Sequence, residues 1–171
     1  MNKVLMVIVG IIVLTGCSSK YKSVEVTKST ELLIKSKPVV ISGSADGSYE
    51  GKPYSGSGEA TAQAVRSAFS RYTDNAVIVS QCNELACLQK HNSLSEGYYV
   101  VPQILHWEDR ATEWSGIPDK IEVKVTVFNA ATSKVIASTI LNGSSKWATF
   151  GGDHPQDLLP EPVNNYVDSL Y

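Results

Sequence analysis

The sequence predicts an α+β fold: one mixed or antiparallel sheet with helices packed on it, in the order β-α-β-α-β-β-β-α. Three observations carry the prediction. Short β-rich runs alternate with helical periodicity in the first half of the chain. A meander of longer strands follows, and an amphipathic segment closes the chain. Strands mixed with helices in this order bury their apolar faces as helix layers on a single sheet.

Pro38–Ser42 (PVVIS) reads as the first strand. Ser42–Gly58 holds five glycines and many serines and reads as a loop; without a GK[ST] ending or a G-x-G-x-x-G pattern it carries no nucleotide-binding signature. Glu59–Tyr72 is a helix, because Ala60, Ala64, Val65, Ala68, Phe69 and Tyr72 recur on one face. Ala76–Ser80 (AVIVS) is continuously apolar and reads as a central strand covered on both faces. Glu84 to about Ser95 is a second, weaker helix. Tyr98–Trp107 is a long strand whose Pro102 places it at an edge or a bulge, since proline removes a ladder donor. Lys120–Ala130 alternates: Ile121, Val123, Val125 and Val127 face one way, Glu122, Lys124 and Thr126 the other. That is an antiparallel strand with one wet face. Lys134–Leu141 pairs back on it, with an interruption expected at Asn142–Gly143 before Trp147. Gln156–Tyr171 supplies a final helix starting near Glu161. No internal repeat is visible.

The chain opens MNKVLMVIVGIIVLTGC: a lysine, a short apolar run, then small residues before Cys17. This is the layout of a secretory signal peptide, too short to cross a bilayer as a helix. LTGC resembles the bacterial lipobox, which implies removal of residues 1–16 and acylation of Cys17. Two or more acyl chains give stable anchoring. Ser18 after the cysteine, by the same resemblance, implies the outer membrane, with the protein facing the periplasm. Residues 17–37, rich in Ser, Lys and Thr, read as the lipidated cysteine and a polar tether with at most a short ordered piece near Glu31–Ile34; 38–171 reads as one domain. The formal net charge is −2, so the electrostatic footprint of a nucleic-acid binder is missing.

Cys82 and Cys87 lie five residues apart in an oxidising compartment. Within one regular helix that separation spans about 7.5 Å of axis, too far for a disulfide. A bond requires Cys82 in the turn before the helix; two reduced thiols are the alternative. A zinc site at this pair lacks further ligands at suitable spacing.

Two segments concentrate functional residue types: HWEDRATEWSG (His106–Gly116) and WATFGGDHPQ (Trp147–Gln156). YYVVPQILHWEDRATEWSGIPDKIEVKV and SSKWATFGGDHPQDLLPEPV resemble an uncharacterised family of proteobacterial lipoproteins that shares these two segments. The resemblance covers Tyr98–Tyr171 and implies no activity. The element order also resembles the amino-terminal domain of TolB and the peptidoglycan-synthase activator lipoproteins, an analogy of fold alone.

Antiparallel strand geometry brings the two segments to one end of the sheet. The candidate binding surface is Trp107, Glu108, Asp109, Arg110, Glu113, Trp114, Trp147, Asp153 and His154. The loop Glu108–Asp119 and the turn Gly151–Pro155 are expected to touch, with Arg110 bridging them. Three readings compete for this surface. It is a self-satisfied loop cluster with tryptophans plugging the core; an interface for a protein, glycan or lipid headgroup; or a catalytic pair of carboxylates. A metal held by His106, Asp109, Asp153 and His154 is not expected, because the spacing gives no ligand pair. No G-x-S-x-G or H-E-x-x-H is present. The sequence therefore predicts a non-enzymatic outer-membrane lipoprotein without cofactor, an accessory or adaptor for an envelope protein or glycan. A hydrolase of envelope glycan is the alternative.

Overall fold

The computed structural model describes residues 19–29, 31–110, 116–146 and 154–171. A six-stranded mixed sheet forms its centre. In chain order the elements are β1 (Lys20–Thr27), β2 (Val39–Ser42), β3 (Ser48–Tyr49), β4 (Lys52–Pro53), helix α1 (Ser57–Phe69), β5 (Ala76–Val79), helix α2 (Leu85–His91), β6 (Tyr98–Glu108), β7 (Lys120–Asn129), β8 (Val135–Ser144), a 3₁₀ turn (Pro155–Leu158) and helix α3 (Pro160–Asp168). The strand order is β1-β8-β7-β6-β2-β5, with β3 and β4 forming a separate small hairpin. β2 runs parallel to both β5 and β6, while β6, β7, β8 and β1 are antiparallel neighbours. The fold is the α+β architecture that the sequence predicts.

Period-two alternation splits the side chains between two faces. One face carries Val39, Ile41, Val100, Trp107, Ile121, Val123, Val125, Val127 and Leu141, which pack with Val65 and Phe69 of α1 and Val163 and Val167 of α3. The other carries a smaller cluster of Val40, Tyr99 and Val101 with Cys82 and Leu88 under α2. The core is therefore closed at the β2 side of the sheet on both faces. Towards β1 it is closed on one face only.

Four expectations need correction. Lys20–Thr27, read as tether, is an eight-residue edge strand paired with β8 from Lys20↔Ser144 onward. Its lysines and small polar residues satisfy β pairing on an exposed edge, where no apolar signal is required. The segment after it is held as well: Leu33 N–H donates to Leu170 O at 2.7 Å, and Ile34 N–H donates to the Tyr98 hydroxyl at 2.8 Å. β5, read as central, is the opposite edge, and Val77 is 46% exposed. Four apolar residues suit a short parallel edge strand as well as a buried one; β2, with Val39, Val40 and Ile41 nearly inaccessible, is the strand covered on both faces. The expected break at Asn142–Gly143 is absent, since β8 continues to Ser144. The glycine-rich loop carries the β3–β4 hairpin, and its Asp46 Oδ1 accepts the Gly58 N–H at 2.8 Å. The start of α1, where an anion could bind, is occupied by the chain's own carboxylate.

Pro102 lies beyond the end of β2, which pairs with β6 only through Tyr98–Val100. There β6 has a sheet neighbour on the β7 side, and the proline costs no bond to β2. Cys82 and Cys87 form a disulfide with Cα atoms 5.3 Å apart, Cys82 standing before the first turn of α2 and Cys87 within it.

Candidate functional site

The site is created by one extra residue. The β6–β7 register shifts between Ile104 and His106, leaving Leu105 as a bulge. Ile104 pairs with Val123 on the core face, His106 with Glu122 on the open face, Trp107 with Ile121 on the core face, and Glu108 with Lys120 on the open face. Without the bulge every residue after Leu105 would change sides. The bulge thus puts Trp107 in the core, 2% exposed, and turns His106 and Glu108 onto the open polar face.

Glu108 is the hub of that face. Its side chain is only 4% exposed, yet it faces three cationic or titratable groups. Arg110 Nε donates to Oε1 at 2.5 Å, and His106 Nε2 donates to Oε2 of the carboxylate at 3.0 Å. Lys120 Nζ stands 3.9 Å from Oε2. Burial pushes the Glu108 carboxyl up, but the bonds from His106 and Arg110 and the charges of Lys120 and Arg110 outweigh it, and its pKa lies below the usual glutamate value. Arg110 is in turn held protonated even more firmly than usual by its bond to Glu108.

The β3–β4 hairpin closes the side of β6 that β2 does not reach. The Tyr49 ring meets His106 edge-on with centroids 5.2 Å apart, and the Arg110 guanidinium lies 5.0 Å from the Tyr49 centroid. Arg110 Nη2 also donates to the Tyr49 hydroxyl at 3.2 Å. The hairpin comes this close because residue 47 is glycine: a Cβ there would lie 2.5 Å from Cβ of Trp107. Burial, and then the neighbouring carboxylates Glu50 and Glu108, raise the Tyr49 phenol above its ordinary pKa.

Beyond the hub, two rows of side chains cross four strands. Lys20, Ser144, Lys120 and Glu108 form one row; Lys22, Asn142, Glu122 and His106 form the next. Together with Tyr49 they line an open cleft of about 530 Å³.

The expected site residues divide as follows. Glu108 and Arg110 belong to the cluster, and Asp109 beside them is half-buried. Trp107 belongs to the hydrophobic core and presents almost no surface. His154 is exposed, and its backbone N–H donates to Asp157 Oδ2 at the start of the 3₁₀ turn. Cys17, Glu113, Trp114, Trp147 and Asp153 lie outside the described residues, as does the expected contact of Gly151 and Gly152 with the first loop. The feet of the two loops do meet: Asp119 N–H donates to Ser145 Oγ at 2.9 Å, and Ser145 N–H donates to Asp119 O at 3.0 Å. Asp119, fully buried, also accepts the Arg110 backbone N–H at 2.6 Å.

Tyr49, Asp119, Lys20 and Lys22 were not singled out from sequence. The alternation that marked one wet face of β7 did contain Glu122; the same period in Lys20–Tyr21–Lys22 would have exposed the two lysines. Among the described residues, one group of potential metal ligands converges, Cys82, Cys87 and His91. Both its sulfurs are engaged in the disulfide and do not act as thiolate ligands in that state.

Residues 31–170 match the family described as a domain of unknown function (DUF4823), and the chain belongs to that family. No curated protein matches the chain significantly. Among solved structures, the chain is similar to the PelC dodecamer from Paraburkholderia phytofirmans, with a TM-score of 0.63 at 10% identity over 89% of this chain and 96% of that one. It is also similar to protein XCC0632 from Xanthomonas campestris, of family DUF330, with a TM-score of 0.52 at 12% identity over 85% of this chain and 92% of that one. At these identities the likeness is one of fold.

Proposed function

We propose that this DUF4823 chain is a non-enzymatic lipoprotein of the outer membrane, anchored through Cys17, whose domain serves in the periplasm as an accessory or adaptor for an envelope protein or glycan. The observation that carries the non-enzymatic part is the geometry of the two carboxylates. Glu108 is 4% exposed, with Arg110 Nε on Oε1 and His106 Nε2 on Oε2, so both its oxygens are already engaged. Asp119 is fully buried and turned inward onto the Arg110 backbone N–H. Such carboxylates organise a surface. The binding part rests on the cleft above them, which offers ammonium, amide, hydroxyl and aromatic groups from five strands.

Self-association of copies is a second element of this reading. It is favoured by the edge strand β1, whose Val24 and Val26 are 43% and 51% exposed, and by the occurrence of the same fold in the PelC dodecamer. Light scattering of the detergent-solubilised protein tests it.

The enzymatic alternative is tested by incubating the purified full chain with isolated envelope glycan. No release of reducing ends is expected from the wild type or from Glu108→Gln. Release by the wild type that Glu108→Gln abolishes would overturn the adaptor reading. Crosslinking in intact cells should capture a discrete partner whose yield falls on Asn142→Asp and Glu122→Lys. Capture indifferent to both variants would remove the cleft from the proposal.

A further inference from the structure

We infer that the open end of the cleft is a membrane contact, in which Lys20, Lys22 and Lys120 bind the anionic phospholipid headgroups of the leaflet that holds Cys17. The inference rests on the Cys17 anchor proposed above and adds the orientation of the domain and a lipid specificity.

The first observation is where ordered chain begins. β1 starts at Lys20, three residues after Cys17. Three residues reach about 10 Å at full extension. That is about one Debye length at 0.1 M salt, so charges at the start of β1 are felt by the headgroups. A free tether to residue 37 would have let the domain stand well off the surface. Pairing of β1 with β8 from Lys20 onward removes that freedom. An acylated Cys17 therefore draws this end of the sheet against the bilayer.

The second observation is what stands at that end. Register places Lys20 and Lys120 on either side of Ser144 in one row, with Lys22 in the next. Adjacent strands are about 4.8 Å apart, so Lys20 and Lys120 flank a gap of about 10 Å, the scale of a phosphate headgroup. All three lysines are exposed. Lys20 and Lys22 form no ion pair among the described residues, while Lys120, 52% exposed, pairs with Glu108 at the long distance of 3.9 Å. Arg110 already answers the charge of Glu108, and His106 hydrogen-bonds its other oxygen. Glu122, on the same face, is flanked along its own strand by Lys120 and Lys124. The cleft mouth is thus cationic in a chain whose net charge is −2. Each lysine held near an anionic leaflet strengthens association about fivefold.

The test uses the full chain, purified from membranes and reconstituted into vesicles of phosphatidylcholine alone or of phosphatidylcholine with phosphatidylglycerol. Amine-reactive labelling is read lysine by lysine by mass spectrometry. Phosphatidylglycerol should lower labelling of Lys20, Lys22 and Lys120 at least fivefold relative to Lys90 and Lys134, and high salt should restore it. The charge reversal Lys22→Glu should weaken protection of Lys20 and Lys120, while Lys134→Glu leaves it unchanged. Equal labelling in both vesicle types would overturn the inference. So would protection reproduced in detergent by inorganic phosphate alone, which would make the cleft a free-anion site. Acyl labelling of wild type and Cys17→Ser reads the anchor separately. An unacylated Cys17 overturns anchor and inference together; an acylated chain with lipid-blind lysines overturns the inference alone.

Discussion

Arg110 Nε donates to Oε1 of Glu108, two residues back along the chain, at 2.5 Å, while the other carboxylate oxygen faces His106 at 3.0 Å. The planar guanidinium meets the carboxylate and the Tyr49 hydroxyl at once, which an ammonium cannot reproduce. Arg110→Ala should therefore lower the urea midpoint at neutral pH and raise the Glu108 pKa, because the buried carboxylate loses a donor and a charge. Arg110→Lys should recover part of the pKa change and less of the stability. Carbon-detected NMR titration of Glu108 in the three proteins checks this.

The same carboxylate sets an acid limb. The folded-state pKa of Glu108 lies below its unfolded value. Its ionised form therefore adds stability above the usual glutamate pKa of about 4.3, and that contribution is lost as pH falls through the folded value. Glu108→Gln should melt below the wild type at pH 7. The gap should close as the pH is lowered from about 5 towards 2. A constant gap across that range would contradict the assignment.

The Cys82–Cys87 bond closes a short loop at the foot of α2, over the smaller core. Loop-closure entropy for about six residues gives about 2 kcal/mol. Replacing both cysteines with serine, or adding reductant, should lower unfolding free energy by about that amount, less any relaxation of the turn. Urea melts with and without reductant measure it. Cys82, 1% exposed, should dominate the cost beyond the loop term.

Gly47 is the hinge point of the hairpin. Its added methyl would lie 2.5 Å from Trp107 Cβ and 3.0 Å from Ile104 Cγ2. Gly47→Ala should cost about 1–3 kcal/mol, the usual penalty of overpacking, and move Tyr49 away from Arg110. A thermal melt reads the first effect. A shifted Arg110 Nε–H resonance reads the second.

Much of the fold was legible locally. Helix α1 follows from its apolar stripe, β7 from strict alternation, and the order of helices and strands from the succession of periods. The requirement that Cys82 precede the helix followed from axial rise against disulfide reach. The candidate site was legible only in part: Glu108 and Arg110 stood out by type, but residue type does not choose between Trp107 as binding surface and Trp107 as a plug of the core, and it lies in the core. A tryptophan between His106 and Glu108 gives no sign of which side it faces until the register is known.

The sequence by itself determined the types of the helices and longer strands it marked and the layered α+β class, because each depends on residues within a few turns or a few pleats of one another. Tertiary structure decided the rest. It made β5 an edge, turned a presumed tether into β1, and inserted the bulge at Leu105 that sends Trp107 inward and Glu108 outward. It also aligned Lys20, Ser144, Lys120 and Glu108, residues drawn from opposite ends of the chain, into one row. Register and sheet order are set by which long-range pairings bury the apolar face together. That is a property of all the strands at once and is written in none of them alone.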